Sequence, residues 1–190
     1  KFKHVNIGAS IDGSYKRAEY WRHGTIWDEI LYNFQHIRTN APHVKIQVAY
    51  TLSWVNAHNL VSLHKEWVEK EMIKMDDIGI NILQHPSYYS LHILPDWKKQ
   101  QIENLFNEHI QWIKKNSTNN DIVKKFELAI EYMNKTNIDY RLGIRGFIYP
   151  NHQLDLIRNE SFFDVFTEHL DLKQWLIDRN IYDYELQRIN

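Results

Sequence analysis

Three polar side chains near the start of the chain have the types and spacing of a ligand-binding site. Ser10 and Asp12 stand two residues apart at the end of an alternating apolar segment, and Gly13 follows them. Residues two apart in a strand share a face, so a hydroxyl and a carboxylate would be presented together. Arg22 comes shortly after, and its planar guanidinium suits a ligand carboxylate. The pattern favours a ligand with hydroxyl and anionic groups, although a simple turn and a surface arginine would show the same residues.

Polar residues also follow two further predicted strands. Thr51, Ser53 and Asn56 come after the second, and Gln84 and His85 come after the third. Ligands of parallel α/β proteins bind at the carboxyl ends of the strands. We therefore expect these residues to lie along one edge of a sheet with Ser10.

The strands that would position these residues are predicted near residues 4–11, 44–51 and 78–83. Amphipathic helical patterns separate them at intervals of about 35 to 40 residues, which is typical of βα units with parallel strands. Three such units with helices on one side leave one face of the sheet uncovered, whereas parallel sheets are normally buried on both faces. We expect a missing N-terminal portion to cover it.

A different pattern begins after a polar break near residue 116. One helix is predicted over residues 121–133, a glycine-containing extended segment over 140–149, and short aromatic helical pieces beyond residue 159. We interpret residues 117–190 as an α+β appendage to a first domain, 1–116.

The opening segment resembles a known family. Residues 7–13, Ile-Gly-Ala-Ser-Ile-Asp-Gly, followed by Arg-His-Gly at 22–24, resemble the fourth barrel strand and following loop of radical S-adenosylmethionine (radical SAM) enzymes. The resemblance is closest to members with a twitch or SPASM-type C-terminal region. It continues through segments such as 86–95 and 154–159 and covers roughly residues 3–165.

This resemblance implies an α/β fold with half of a partial (βα) barrel, in which residues 1–116 form the C-terminal half. The family binds S-adenosylmethionine and a [4Fe-4S] cluster held by a CxxxCxxC loop, and the reduced cluster cleaves the cofactor to start hydrogen abstraction. This chain has no cysteine, and thiolates are the usual ligands of such clusters. We therefore interpret it as the C-terminal part of a longer protein, with the missing N-terminal half of the barrel as its partner.

The resemblance also implies roles for the residues at the strand ends. Ser10 and Asp12 would contact the cofactor, with Asp12 exposed and binding its ribose, and Arg22 would pair with its carboxylate. Further cofactor contacts would come from Thr51, Ser53, Asn56, Leu83 and Gln84. Position after the third strand, independently of the resemblance, makes His85, Tyr88 and Tyr89 candidates for substrate contacts. The substrate class suggested by the family is a peptide or protein.

Composition limits the alternatives. The formal net charge is -1, from 23 Lys and Arg against 24 Asp and Glu, which gives no broad electrostatic footprint for nucleic acid or an anionic membrane. No apolar run could cross a membrane, and eleven histidines show no metal-binding spacing. We expect a cytoplasmic protein without its own metal site. The alternative function is a non-catalytic binding or assembly module on a barrel-like scaffold.

Overall fold

The protein contains a sheet of three parallel strands, arranged in the order in which they occur along the chain. In a computed structural model that describes residues 4–135 and 140–187, β1 is Asn6–Ser10, β2 is Lys45–Leu52 and β3 is Ile78–Ile82. β2 lies in the centre and pairs in parallel with both neighbours. The predicted α/β class and its three parallel strands are confirmed.

Nine α-helices occur in the described residues, and the helix Tyr15–Trp21, which follows β1, was not expected from the sequence. With seven residues, it is too short for a helical period to be legible. No helix in the described ranges is both long and apolar enough to cross a bilayer. The helices are α1 (Tyr15–Trp21), α2 (Trp27–Asn40), α3 (Ala57–Glu69), α4 (Asp96–Asn116), α5 (Asp121–Asn134), α6 (Tyr140–Arg158), α7 (Phe162–Val165), α8 (Leu170–Ile177) and α9 (Tyr182–Gln187).

One face of the sheet packs into the core. Ile46, Val48, Tyr50 and Leu52 alternate along β2, and each is at most 1% exposed. They join a hydrophobic core with the buried faces of the helices. Because strand side chains alternate between faces, the residues between them point to the opposite side.

The opposite face carries small and polar side chains and is open. Lys45 and Gln47 are exposed on β2, and the register places Ser10 of β1 beside Ala49 and Thr51 beside Asn81 of β3. Parallel sheets are normally covered on both faces. The expected uncovered face is therefore present, and its polar character distinguishes it from an unfinished hydrophobic core.

The hydrophobic core crosses the predicted boundary between 1–116 and 117–190. Phe106 of α4 lies 5.2 Å from Phe126 of α5, measured between ring centroids. Trp54, which follows β2, lies 4.8 Å from Phe147 of α6 and 6.0 Å from Phe162 of α7. The division into two domains stays a prediction, while the described residues on both sides share one core.

The segment 140–149, expected to be extended, is helical, and this prediction was wrong. It belongs to α6, and all regular elements in 140–187 are helices or single helical turns, so the expected α+β character is absent from these described residues. The glycines that suggested a strand instead permit close packing. A Cβ at Gly143 would lie 2.8 Å from Ile93 Cβ, and a Cβ at Gly146 would lie 3.2 Å from Tyr88 Cδ1. Any larger residue would push the helix away from these neighbours.

Candidate functional site

Two hydroxyl groups lie free on the open face near the carboxyl ends of the strands. Ser10 ends β1 and is exposed, and Thr51 lies half-buried near the end of β2. Neither hydroxyl forms a hydrogen bond within the described part of the chain. Asn81 of β3 is exposed beside Thr51. These side chains offer several hydrogen-bonding groups to a ligand on this face.

Asp12 and Arg22 bind one another. Arg22 Nε donates to Asp12 Oδ2 at 2.9 Å, and its Nη2 lies 2.7 Å from the same oxygen. The Thr51 N–H donates to Asp12 Oδ1 at 2.6 Å. The expectation that Asp12 is exposed was wrong, because it is only 5% exposed. Asp12 links the ends of β1 and β2, and Arg22 stays at the surface with 45% of its side chain exposed.

Ser53 and Asn56 are fully buried and use their polar groups inside the chain. Asn56 Oδ1 accepts from the Ser53 N–H at 2.8 Å and from Ser53 Oγ at 3.2 Å. Asn56 Nδ2 donates to the carbonyl oxygens of Asp12 and Thr51, each at 3.0 Å. Both side chains are 0% exposed. They hold the loop after β2 in place, and neither presents a polar group to a ligand in this conformation.

The residues after β3 lie at the same edge. Leu83 is half-buried and Gln84 is exposed, and the Leu83 N–H donates to the Leu52 carbonyl, which continues the pairing with β2. His85 is exposed and precedes a cis peptide bond to Pro86. Gln84 and His85 are therefore placed where a ligand on the open edge could reach them.

Tyr88 and Tyr89 join this edge to the C-terminal helices. The Tyr88 carbonyl accepts a hydrogen bond from Trp54 Nε1 at 2.8 Å. The Tyr88 ring packs against Gly146 of α6. The Tyr89 ring lies 5.1 Å from that of Trp21 in an edge-to-face arrangement. Burial raises the pKa of Tyr89 to about 12, so its hydroxyl stays protonated at neutral pH. Tyr89 lines a cavity, whereas Tyr88 is mainly a packing residue.

A cavity of about 170 Å³ beside Tyr89 was not found by sequence reasoning. It lies between α1, the loop after β3 and α6, and its walls include Trp21, Leu154 and Arg158. The segment containing Arg158 was noted only for its family resemblance, because residues 140–149 were predicted as extended and the course of α6 was unknown. The signal that could have found it is the apolar period of Phe147, Leu154 and neighbouring residues.

A second polar cavity, of about 450 Å³, lies between α1, α3 and the turn before α8. Arg17 crosses one side of it and forms two hydrogen bonds to Glu168, Nε to Oε1 at 3.0 Å and Nη2 to Oε2 at 2.6 Å. Its two opposite charges therefore satisfy one another. His58 and Ser62 also line the space, one helical turn apart on α3.

The residues at the strand ends fit the two family cofactors unequally. The chain has no cysteine, so it offers no thiolate to an iron–sulfur cluster. The described residues contain no group of three or more potential metal ligands. For S-adenosylmethionine, Ser10, Thr51 and the exposed part of Arg22 remain available on the open edge. The described side chains thus offer hydrogen-bonding groups that would fit an organic cofactor of this kind, and they offer no thiolate to a cluster.

Comparison with protein-family models, curated proteins and solved structures finds no match to this chain. The functional interpretation therefore rests on the residues, the resemblance in their pattern and the geometry described above.

Proposed function

We propose that this chain is the C-terminal portion of a radical SAM enzyme and forms part of the pocket for S-adenosylmethionine. The observation that carries this proposal is the open, polar face of an otherwise well-packed parallel sheet. Free hydroxyls of Ser10 and Thr51 lie at its carboxyl edge, which is where parallel α/β proteins bind ligands. Further barrel strands, paired with an edge strand of this sheet, would enclose the site on its open face.

Each residue then has a distinct task. Ser10 and Thr51 offer hydroxyls to the polar groups of the cofactor. Arg22 uses Nε and Nη2 to bind Asp12, and the exposed remainder of its guanidinium is available to the cofactor carboxylate. Asp12 acts as a positioning residue for Arg22. In this proposal it does not contact the ribose, although the resemblance implied that it would. Ser53 and Asn56 position the loop after β2 in the same indirect way.

The rest of the protein would supply what this chain lacks. In our proposal an N-terminal half-barrel pairs with the exposed edge of the sheet and brings the cysteines of a [4Fe-4S] cluster. When both cofactors are bound, they supply hydrogen-atom abstraction from the substrate. The residues of this chain orient the organic cofactor and form part of the substrate wall, with Gln84, His85 and Tyr89 on the loop after β3. A cytoplasmic enzyme acting on a peptide or protein is the form we favour.

Calorimetric titration of the complete polypeptide with S-adenosylmethionine tests this proposal. Arg22→Ala should weaken binding by about 1.5 to 3 kcal/mol, the range for losing a hydrogen bond to a charged group. Lys45→Ala is the matched control, because Lys45 is a cation on the open face of the sheet, at the end of β2 away from the proposed site. It should leave the affinity unchanged. Equal affinities for wild type and Arg22→Ala would remove Arg22 from the site, and absence of binding by the wild type would refute the proposal.

A non-catalytic binding or assembly module remains the alternative function. The observation in its favour is that Asp12, Ser53 and Asn56, three predicted cofactor contacts, direct their polar groups to the chain itself. Such a module would use the open face only to bind a partner. It predicts a complete polypeptide that binds no S-adenosylmethionine while still forming a stable complex through β1 or β3.

A further inference from the structure

The cavity beside Tyr89 contains a cation with no anionic partner. Arg158 Nη1 reaches only the Tyr20 carbonyl oxygen, at the long distance of 3.4 Å. Among the described residues, no carboxylate lies within 4.0 Å of its guanidinium. Arg22 and Arg17 differ in this respect, since each is bound to a carboxylate. A half-buried guanidinium with unused donors favours an anion, and its planar fork matches a carboxylate best.

The neighbouring carboxylate is already engaged elsewhere. Asp155 Oδ1 accepts from the Tyr20 hydroxyl at 2.6 Å, and its Oδ2 accepts from the Phe162 N–H at 3.0 Å. Asp155 therefore serves to fix α1 and α7 against α6. The charge of Arg158 remains for a group that enters from outside.

The other residues that line the cavity indicate which chemical group carries the anion. The Tyr89 hydroxyl has no hydrogen-bond partner within the described ranges, and Tyr89 lines the same cavity as Arg158. Trp21 and Leu154 supply apolar surface. The volume of about 170 Å³ equals that of roughly five or six liquid waters. It fits a compact apolar or aromatic group.

We propose that this cavity binds a carboxylate carried on a compact apolar or aromatic group, with Arg158 as its counter-ion and Tyr89 as a second donor. The inference that this carboxylate anchors the substrate rests on the proposed function, because the cavity adjoins the same edge of the sheet as the proposed cofactor site. The binding itself requires neither cofactor. The substrate class is then an acid, such as a peptide with an acidic or terminal carboxylate near an apolar side chain.

Phenylacetate and its neutral isostere phenylacetamide provide the test, with ligand-observed NMR and calorimetry on the same complete polypeptide that is used for the cofactor titration. We expect phenylacetate to bind about tenfold or more tightly than the amide, as a charge-assisted contact of this kind provides. Arg158→Gln should remove the preference. Arg179→Gln is the control, because Arg179 is an exposed cation stacked on Trp175 at 4.1 Å, outside the cavity. It should keep the preference.

Equal binding of acid and amide, no binding of either, or a preference that survives in Arg158→Gln would overturn the assignment. Should Arg158→Gln not fold, Tyr89→Phe takes its place and should weaken phenylacetate binding more than phenylacetamide binding. The result is separable from the cofactor test. Loss of phenylacetate binding with intact S-adenosylmethionine binding contradicts this inference alone, and the reverse result contradicts the proposed function alone.

Discussion

The free energy of unfolding should fall by several kcal/mol when the pH is lowered from 7 to 4, because buried histidines are held neutral. His64 Nε2 donates to the Met75 carbonyl at 3.0 Å, which leaves Nδ1 to accept from His109 Nε2 at 2.8 Å. Burial lowers the pKa of His64 to about 4. Burial, with the charges of His64 and Lys65, lowers that of His109 to about 3.

The sign follows from proton uptake. The unfolded chain binds protons on these histidines below about pH 6.5, whereas the folded protein does not until the pH is near 4 or lower. Their contribution is thus complete above pH 6.5 and is lost as the pH falls. His169 behaves alike, since burial lowers its pKa to about 3. Each proton of difference gives a slope of about 1.4 kcal/mol per pH unit.

Urea denaturation at pH 7, 6, 5 and 4 measures this dependence. His109→Gln should reduce the slope between pH 6 and pH 4 by about one proton. The control is His36→Gln, at an exposed position on α2. The surface variant should keep the slope of the wild type. A wild-type protein as stable at pH 4.5 as at pH 7 would contradict the neutral histidine pair.

Asp12→Ala should cost about 2 to 4 kcal/mol of stability, because it removes a buried acceptor from a backbone donor and from a charged group. The Thr51 N–H would lose its partner at 2.6 Å, and Arg22 would lose both of its contacts. Asp178→Ala is the control, since that carboxylate is exposed and, among the described residues, accepts only from Gln174. It should change stability by less than about 0.5 kcal/mol.

Denaturation midpoints of these two variants decide the role of Asp12. If Asp12→Ala has the same denaturation midpoint as the wild type, the carboxylate is not a structural link between β1 and β2. The direct ribose contact implied by the family resemblance would then be the better interpretation of Asp12. If the variant is destabilised as expected, any loss of activity in it has to be separated from loss of folded protein.

The strands were predictable because local pattern decides them. β2 alternates between apolar and polar residues, and the spacing to β3 leaves room for one helix, so a parallel arrangement followed from length alone. The uncovered face followed from the same reasoning. Position along the strand also placed Ser10 and Thr51 correctly at the carboxyl edge.

Partners of charged side chains were not predictable in the same way. Asp12 and Arg22 have the composition of a ligand site, but whether they bind a ligand or one another depends on how the loop after β1 folds. Arg158 could not be assigned a role before α6 was known to be a helix, since its surroundings come from α1 and the loop after β3. Gly143 and Gly146 misled for a related reason, because close packing and strand breaks both select glycine.

Iron and acid-labile sulfide in the native protein, purified without oxygen, test the central claim most directly. Our account predicts a polypeptide heavier than the 23.1 kDa of this chain, with about four irons and four sulfides per molecule, as a [4Fe-4S] cluster requires. A native protein of 23.1 kDa that contains neither iron nor sulfide would contradict the assignment to a radical SAM enzyme.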